Sequence, residues 1–464
     1  MTRPTNLNWI VIGLLLALFI GALDVTIVST AMPNITEELR GGHLFSWVFT
    51  IYTLTTCVAT PIFGKLTDLF GRKLVFGIGV FLFIASSVLC GLANSMTALI
   101  WFRALQGIGA GALNPVCFTI VGDLFTGEKR GKMMGVFASV WSIAGLLGPL
   151  VGGYFVDQVD WRWIFFINVP IGLVSLVLVL AFLKESFDKQ KKRIDYLGAA
   201  TFTVAVSALM YALLSGGNEY AWDSPVIVLL LAVSAAFFLL FLWVEKRARE
   251  PMIPLKLFRS RVMYISNLSN FLAFTISSGV TIYAPIWIQS VLGHSATSSG
   301  LMVMPMTIAW PLASNVVGRL MYKIGVKASV VTGAFIVAAG AAWLTALQIG
   351  SPYAYWVCIL SLIGFGMGFI ATPTTVIVQS SVGWELRGVA TSTISLVRSF
   401  GQTVGVAVFG TIYNHYAVGE NPPPSAMASG MHGIFVLMIA IALAHVFSVL
   451  FLPSNRRADA EQPS

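Results

Sequence analysis

Long apolar runs, separated by short polar segments, cover most of this chain. A helix that crosses a bilayer needs about 20 mostly apolar residues, and fourteen runs of that length end at charges, prolines or glycine clusters. The runs are 9–32, 44–64, 74–93, 98–121, 132–156, 163–183, 196–215, 225–244, 262–290, 298–320, 328–347, 353–379, 389–413 and 430–452. They are neither short nor alternating, as the strands of a membrane β-barrel are. The pattern therefore predicts an all-α polytopic membrane protein with 14 transmembrane helices.

Composition excludes a water-soluble globular protein. Of the 464 residues, 57% are hydrophobic and only 10% are charged, whereas soluble domains contain about 25% charged residues. The mean hydropathy of +0.85 agrees with a chain that is solvated by lipid.

The distribution of Lys and Arg predicts the orientation in the membrane, because cytoplasmic loops are enriched in these residues. With the N-terminus inside, 24 of the 28 Lys and Arg fall in cytoplasmic segments, whereas Arg40 and Arg162 fall outside. We therefore expect a multi-pass protein of the cell (inner or plasma) membrane with both termini cytoplasmic. The net charge of +9 then reflects topology, and no nucleic-acid partner is expected.

Two segments of the first half recur in the second half. The loop Gly64–Lys73 recurs at 318–327, an offset of 254 residues, and the glycines and Glu-x-Arg-Gly of 107–131 recur at 364–388, an offset of 257. Duplicated halves are common in transporters, where a cavity lies between them at the bilayer midplane.

The repeat divides the runs into six, two inserted, and six. We expect an N-terminal six-helix bundle at 1–184, two inserted transmembrane helices with flanking cytoplasmic linkers at 185–260, and a C-terminal six-helix bundle with a short tail at 261–464.

Four local motifs resemble those of the major facilitator superfamily, and more closely its fourteen-span drug:proton antiporter branch. They are the loop Gly64–Lys73, Arg103-x-x-Gln106-Gly107-x-Gly109, Gly148-Pro149-x-x-Gly152-Gly153, and Leu23-Asp24-Val25-Thr26-Ile27-Val28. The resemblance implies the major facilitator fold and a multidrug efflux transporter, a class that confers antibiotic resistance.

Asp24 is the carboxylate that the pattern places inside a membrane helix, whereas the other acidic residues fall in loops, at helix ends or in termini. A charge there costs at least about 2.5–3.5 kcal/mol, so such residues usually face a cavity or a partner. Asp24 lies about 12 Å and Arg103 about 8 Å from the outer ends of their helices. We expect a proton-coupling pair, with a permanent ion pair between helices as the alternative.

The loop between the second and third runs supplies candidate gating residues. Two glycines permit a tight turn and close helix approach, Asp68 suits a helix N-terminus or a cation, and Arg72 and Lys73 suit lipid headgroups. The family resemblance implies that Asp68 and Arg130 help to latch one conformation. Because Tyr322 replaces Asp68 in the second copy, we expect the latch on the N-terminal half. The candidates are Gly64, Asp68, Gly71, Arg72, Lys73 and Arg130.

The fifth run carries small residues and a proline that permit close packing and a kink. By resemblance, this helix packs across the domain interface, and its residues govern which face opens, with plain packing as the alternative. They are Gly145, Gly148, Pro149, Gly152 and Gly153. Arg398, inside the thirteenth run, suits either a gate or a buried tether.

Aromatic and amide residues near the middle of runs are candidates for a substrate cavity, because aromatic rings bind flat apolar or cationic ligands. They equally suit core packing. The candidates are Tyr52, Trp141, Tyr283, Gln289, Trp310 and Gln379.

No cofactor, metal site or enzymatic activity is expected. The run Gly107-x-Gly109-x-x-Ala112 partly matches a dinucleotide fingerprint, but it lies within an apolar helix with no preceding strand. No G-x-x-x-x-G-K-[ST] segment occurs, so the proton gradient is the expected energy source.

These features together predict a secondary active antiporter that exports amphipathic drugs or toxic compounds in exchange for protons by alternating access. The expected partners are small amphipathic substrates, protons and the lipid bilayer, and the expected state is a monomer. A dedicated exporter or flippase of a single metabolite or lipid is the alternative within transport, and a membrane sensor is a further one.

Overall fold

Helices form nearly all the regular structure of the chain. The computed structural model describes residues 6–41, 44–185, 194–217, 219–248, 250–292, 296–348, 351–416 and 423–453. The α-helices of these residues are α1 Leu7–Leu39, α2 Phe45–Phe70, α3 Arg72–Gly91, α4 Met96–Leu124, α5 Gly127–Gln158, α6 Trp163–Phe166, α7 Asn168–Phe182, α8 Tyr196–Ser215, α9 Pro225–Arg247, α10 Arg261–Ser278, α11 Ala284–Ile286, α12 Ala296–Ile324, α13 Val326–Leu344, α14 Tyr353–Ser380, α15 Arg387–Tyr416 and α16 Pro424–Leu450. A helix pairs every interior backbone group within its own segment, as a lipid environment requires.

Thirteen helical stretches among the described residues are long and apolar enough to cross a membrane. Two of them are interrupted: α6 and α7 meet at Ile167, and α10 continues through π-helical turns at Gly279–Tyr283 and Trp287–Val291 around α11. The thirteenth predicted run corresponds to α15, which spans 30 residues but is rich in Ser and Thr and carries Arg398. The chain is thus a multi-pass, all-helical membrane protein.

Two groups of helices pack around separate cores. The N-terminal bundle, α1–α7, buries aromatic side chains such as Phe76, Phe83 and Phe137, whereas the C-terminal bundle, α10–α16, is centred on Trp287 and Trp356. Each core is formed largely by helices that are near in sequence.

The repeated loop adopts the same turn in both copies. Gly71 has φ 91° and ψ 155° before α3, and Gly325 has φ 91° and ψ 151° before α13. A positive φ of this size is strained for any residue with a Cβ, so glycine is required at both positions. The duplication seen in the sequence therefore extends to backbone conformation.

The pair α8 and α9 lies beside both bundles. The two helices pack on each other, with Phe202 and Phe241 5.4 Å apart, and α8 contacts both α2 and α15. Near one end of the pair, Trp222 donates to Thr411 Oγ1 of α15 over 2.8 Å. The pair therefore covers a line where the two bundles meet.

The bundles touch each other mainly through α5 with α12 and α2 with α15. Gly131 and Gly318 bring the backbones of α5 and α12 together so closely that a Cβ on either residue would clash with the other backbone. Next to them, Asn315 Nδ2 donates to Ser139 Oγ over 3.1 Å. Small residues at these points allow the bundles to meet.

Candidate functional site

A buried ion pair lies inside the N-terminal bundle. Arg103 Nη1 of α4 is 2.6 Å from Asp24 Oδ2 of α1, and the two side chains are at most 1% exposed. The structure thus contains the pair that the helix depths predict. Its desolvation is expensive, so the pair persists only because further groups satisfy the remaining polar atoms.

Amide side chains complete the surroundings of this pair. Gln106 Nε2 donates to Asp24 Oδ1 over 2.9 Å, and Gln106 Oε1 accepts from Arg103 Nη1 over 2.7 Å. Asn168, the first residue of α7, approaches Asp24 Oδ1 with its Nδ2 at 3.5 Å. Gln106 was identifiable as the residue one turn beyond Arg103 on the same helix face, whereas nothing local pointed to Asn168.

Two buried polar atoms of this cluster have no hydrogen-bond partner within the described part of the chain. They are Arg103 Nε and Asn168 Oδ1. Such unpaired atoms are rare in stable cores. Both atoms belong to residues that contact Asp24.

A pocket adjoins the ion pair through Tyr52. The guanidinium carbon of Arg103 lies 4.0 Å from the Tyr52 ring centroid, and Tyr52 also lines a cavity of about 70 Å³ with Trp141 and Asn114. This volume is below the roughly 300–1,000 Å³ of drug-sized ligand sites. In this conformation the cavity is therefore too small for a drug-sized ligand.

The remaining cavity candidates are dispersed. Tyr283 is buried and donates to the Val406 carbonyl over 3.0 Å, whereas Gln289 is exposed on a π-helical turn. Trp310 packs on Phe274, with ring centroids 5.5 Å apart.

Gln379 lies in the contact between the bundles, not on a cavity wall. Its Nε2 donates to the Phe118 carbonyl of α4 over 3.0 Å and to Thr391 Oγ1 over 3.2 Å. The cavity assignment from sequence is corrected at this residue, which packing buries completely.

The side chain of Asp68 links the two bundles. Its two carboxylate oxygens accept from the backbone N–H groups of Gly388 and Val389, both over 2.9 Å. These are the first residues of α15, whose free N–H groups and helix dipole favour a negative charge. Asp68 was expected at a helix N-terminus, and the helix is one from the opposite bundle.

Arg72 extends the contact between the bundles that Asp68 makes. It lies 3.1 Å from Asp68 and 3.0 Å from Asp123, and its Nη2 donates to the Trp384 carbonyl over 2.7 Å. Asp123 also binds Arg387 Nη1 over 2.8 Å. We call these six residues, Asp68, Arg72, Asp123, Trp384, Arg387 and Gly388, the latch.

The latch corrects two expectations. Arg72 is fully buried, so it does not anchor to lipid headgroups. The carboxylate of Asp68 pairs with Arg72 of its own bundle and also accepts from backbone N–H groups of the C-terminal bundle, so the contact is not confined to the N-terminal half. Both bundles therefore contribute to the contact. The sequence pattern did not single out Asp123 or Arg387, because nothing local shows that a charge near a helix end meets a partner in the other bundle.

The other loop residues support the same contact. Gly64 allows α2 to approach α15, since a Cβ there would clash with Ser392. The backbone N–H groups of Arg72 and Lys73 both donate to Glu185 over 2.9 Å. Arg130 reaches α14 by donating to Ser380 Oγ over 3.0 Å.

The glycines of the second half of α5 do not meet the C-terminal bundle in this conformation. Gly148 and Gly152 pack on Thr26 and Ile27 of α1, and a Cβ at Gly145 or Gly153 would have open space around it. Pro149 lies between them within α5. The close approach between bundles is made instead by Gly131 and Gly135, nearer the start of α5.

A family model described as "Major Facilitator Superfamily" matches residues 14–406. The chain belongs to the major facilitator superfamily. It is accordingly a membrane transporter and not an enzyme, which agrees with the duplicated bundles and with the helices that are able to span a membrane.

Named bacterial relatives are similar over most of the chain. "Multidrug transporter protein MdtP" of Bacillus subtilis is 39% identical over 412 residues, which cover 89% of this chain and 76% of the relative. "Multidrug resistance protein 3" of the same organism is 38% identical over 410 residues, covering 88% and 80%.

A solved structure shares the fold. The human organic anion transporter MFSD10 (TETRAN) superimposes with a TM-score of 0.69, covering 95% of this chain and 99% of that chain at 15% identity. At this identity the likeness concerns the fold alone.

Proposed function

We propose that this transporter is a proton-coupled antiporter that exports amphipathic drugs or toxic compounds by alternating access. The relatives named as multidrug transporters, at 38–39% identity, support drug efflux. Proton coupling rests on the buried Asp24 carboxylate.

The proposed architecture is the fourteen-span form of the major facilitator fold, arranged 6+2+6. In it, 1–184 and 261–464 are the two moving bundles, and 185–260 contains the inserted pair α8 and α9. The protein lies in the cell membrane as a monomer with cytoplasmic termini, and it uses the proton gradient without a cofactor. The count of thirteen apolar stretches plus the long, polar α15 supports this arrangement.

The single observation that carries the proposal is the Asp24–Arg103 pair beside the Tyr52 pocket. An ionised Asp24 is stabilised by Arg103 and Gln106, which both bind its oxygens. A proton on Asp24 cancels that attraction and frees Arg103 to move. One carboxylate within a membrane helix thus couples one proton to a rearrangement next to the pocket.

The latch supplies the second element of alternating access. It closes the end of the transporter at which α2 ends and α15 begins. With cytoplasmic termini, this end faces the cytoplasm, so in the proposed cycle the latch is closed while the transporter is outward-facing. Separation of the bundles at the latch then opens the pocket toward the cytoplasm.

Inverted membrane vesicles with an imposed proton gradient test this function. We expect substrate-induced proton release for members of a panel of lipophilic cations, neutral drugs and aromatic organic acids in the native protein, and its loss in Asp24→Asn. Asp157→Asn is the matched control, because Asp157 is exposed near the end of α5. Its response should equal that of the native protein.

The contrary results separate the parts of the proposal. Equal responses of the native protein and Asp24→Asn would make Asp24 structural and place proton coupling elsewhere. No response to any compound would contradict drug antiport and favour a dedicated substrate.

A further inference from the structure

Among the described residues, the C-terminal bundle holds a half-buried cation, Arg398, that no carboxylate compensates. Arg398 of α15 has no acidic oxygen within 4 Å among the residues that the structure describes. Its Nε donates to Asn270 Oδ1 over 2.8 Å, and its Nη2 donates to Thr375 Oγ1 over 2.8 Å and to the Ala371 carbonyl over 3.0 Å. All these acceptors are neutral, so the positive charge remains.

The contacts of Arg398 decide between the two roles left open by the sequence. Every acceptor named above belongs to α10 or α14 of the same bundle, so in this conformation the side chain does not bridge the bundles. These three hydrogen bonds would suit a tether, but all of their acceptors are neutral and leave the charge of the guanidinium uncompensated. The charge therefore requires its own explanation, because a cation within a membrane protein is costly.

The duplication indicates where this cation faces. The offset of 257 residues relates Arg398 to Trp141, and it relates Ala371 to Asn114. Trp141 and Asn114 line the pocket of the N-terminal bundle. Arg398 is partly exposed, and its Nη1 has no acceptor within the described residues. We conclude that Arg398 lies on the corresponding wall of the C-terminal bundle, with one edge of its guanidinium open.

Aromatic rings lie beside the open cation. The guanidinium carbon of Arg398 is 5.1 Å from the Phe274 ring centroid, and Phe274 packs edge-on against Trp310 at 5.5 Å. Nε and both N–H groups of Nη2 are engaged, so the N–H groups of Nη1 remain to donate to a carboxylate oxygen, and hydrogen bonds between two charged groups are the strong ones. Neighbouring rings can pack on an aromatic body. The three side chains together match the two parts of an aromatic carboxylate.

We propose that Arg398, Phe274 and Trp310 form a recognition site for the carboxylate and ring of an aromatic organic acid, including zwitterionic drugs. This inference deepens the proposed function, because it assigns a substrate class to the same transporter. Asp24 and Arg103 cancel each other's charge in the N-terminal bundle. Among the described residues of these two sites, the charge that remains is positive and comes from Arg398, so an acidic substrate is favoured over its neutral analogue.

Binding to the purified full chain in lipid nanodiscs tests the site. Isothermal titration at pH 7.5 compares naphthalene-2-carboxylate with naphthalene-2-carboxamide, which share the ring and differ in charge. We expect the native protein to bind the carboxylate at least about tenfold more tightly. Arg398→Gln should lose this preference and keep its affinity for the carboxamide, whereas an unchanged preference would overturn the proposal.

Two further variants control for unspecific effects of the substitution and for misfolding. Arg162→Gln removes a partly exposed arginine of a surface ion pair, and it should retain the full preference. If size-exclusion chromatography shows that Arg398→Gln does not fold, the same binding comparison is made with Arg398→Lys. Its ammonium keeps the charge but cannot reproduce the planar set of bonds to Asn270, Ala371 and Thr375 that positions the guanidinium, so we expect the preference to fall by about threefold. An unchanged preference would count against the site.

An inorganic anion is the competing occupant. Replacing chloride by gluconate at constant ionic strength should leave the carboxylate preference in place. Chloride binding that depends on Arg398, together with equal affinities for the two naphthalene probes, would overturn the proposal. Because this binding requires no proton gradient, loss of proton exchange in vesicles with an intact preference would reject the proposed function alone.

Discussion

The two bundles treat a buried arginine in opposite ways. In the N-terminal bundle, Arg103 lies 2.6 Å from the carboxylate of Asp24, with Gln106 binding both side chains. In the C-terminal bundle, Arg398 binds Asn270 and other neutral acceptors. Each arginine also lies beside a ring, Tyr52 for the first and Phe274 for the second.

The difference concerns which charge is able to change. Protonation of Asp24 alters the net charge of the N-terminal site, whereas Arg398 remains a cation at any physiological pH. A transporter that exchanges a proton for a substrate needs one variable charge, and a second, fixed charge can select the substrate. Under the function proposed above, the N-terminal half is the proton switch, and the residues Arg398, Phe274 and Trp310 of the C-terminal half are the substrate selector.

Removing Arg103 should destabilise the protein more than removing Arg398. Arg103→Leu leaves Asp24 buried without its cation, and a broken buried pair costs about 3–5 kcal/mol. Arg398→Leu leaves only neutral groups without a donor, which costs about 1–3 kcal/mol. Unfolding free energies in mixed detergent micelles measure both. The double variant Asp24→Asn with Arg103→Leu should recover part of the loss, and equal losses for the two single variants would contradict the comparison.

Addition of a carboxylate should make the second site resemble the first. Asn270→Asp places an acid 2.8 Å from Arg398 Nε with almost no change in shape. We expect the preference for naphthalene-2-carboxylate to fall about tenfold, because the cation is then compensated internally. Asn267→Asp lies one turn earlier on α10, where its amide donates to the Met263 carbonyl. This control should retain more of the preference.

The two rings should differ in how much they stabilise their arginines. Arg103 lies 4.0 Å from the centre of Tyr52, whereas Arg398 lies 5.1 Å from that of Phe274. Cation–π attraction contributes about 0.5–2 kcal/mol and weakens with distance. We therefore expect Tyr52→Leu to lower the free energy of unfolding by about 1 kcal/mol more than Tyr52→Phe. Phe274→Leu should lower the free energy of unfolding by less than Tyr52→Leu does, and the reverse order would contradict the comparison.

Weakening the latch should not change ligand recognition at Arg398, Phe274 and Trp310. In Asp68→Asn, the first N–H groups of α15 lose a charged acceptor worth about 0.3–1 kcal/mol. We expect about two- to fivefold faster maleimide labelling of a Ser392→Cys reporter, which lies at the closed contact. The labelling background is Cys358→Ser, because Cys358 is the native thiol that is exposed among the described residues.

The preference between the naphthalene probes should stay the same in Asp68→Asn as in the native protein. Glu128→Gln, which removes an exposed carboxylate near the start of α5, is the matched control and should leave labelling unchanged. A changed probe preference in Asp68→Asn would show that the latch and the Arg398 site are not independent.

Much of the Asp24 site followed from sequence because charged residues are rare inside apolar runs. Helix rise alone placed Asp24 and Arg103 at similar depths. Asn168 was not predictable, since its approach to Asp24 depends on how α7 packs against α1. The same holds for Asp68, whose partners lie at the start of α15, more than 300 residues further along the chain.

The glycines of α5 illustrate the same limit. Their small size indicated close packing, but not which neighbour would use it. Gly148 and Gly152 pack within their own bundle, whereas Gly131 and Gly135 meet α12. The choice depends on the rotation of α5 about its axis, which a run of apolar residues on all sides leaves open.

The sequence by itself determined the membrane class, the apolar runs and the duplication. These are local properties, because the thickness of the bilayer sets helix length and each helix satisfies its own backbone. Only the tertiary structure decided which polar groups meet: Asp24 with Gln106 and Asn168, Asp68 with the start of α15, and Arg398 with neutral acceptors alone. Such contacts depend on the rotation and separation of packed helices, which arise from the whole assembly and not from any one segment.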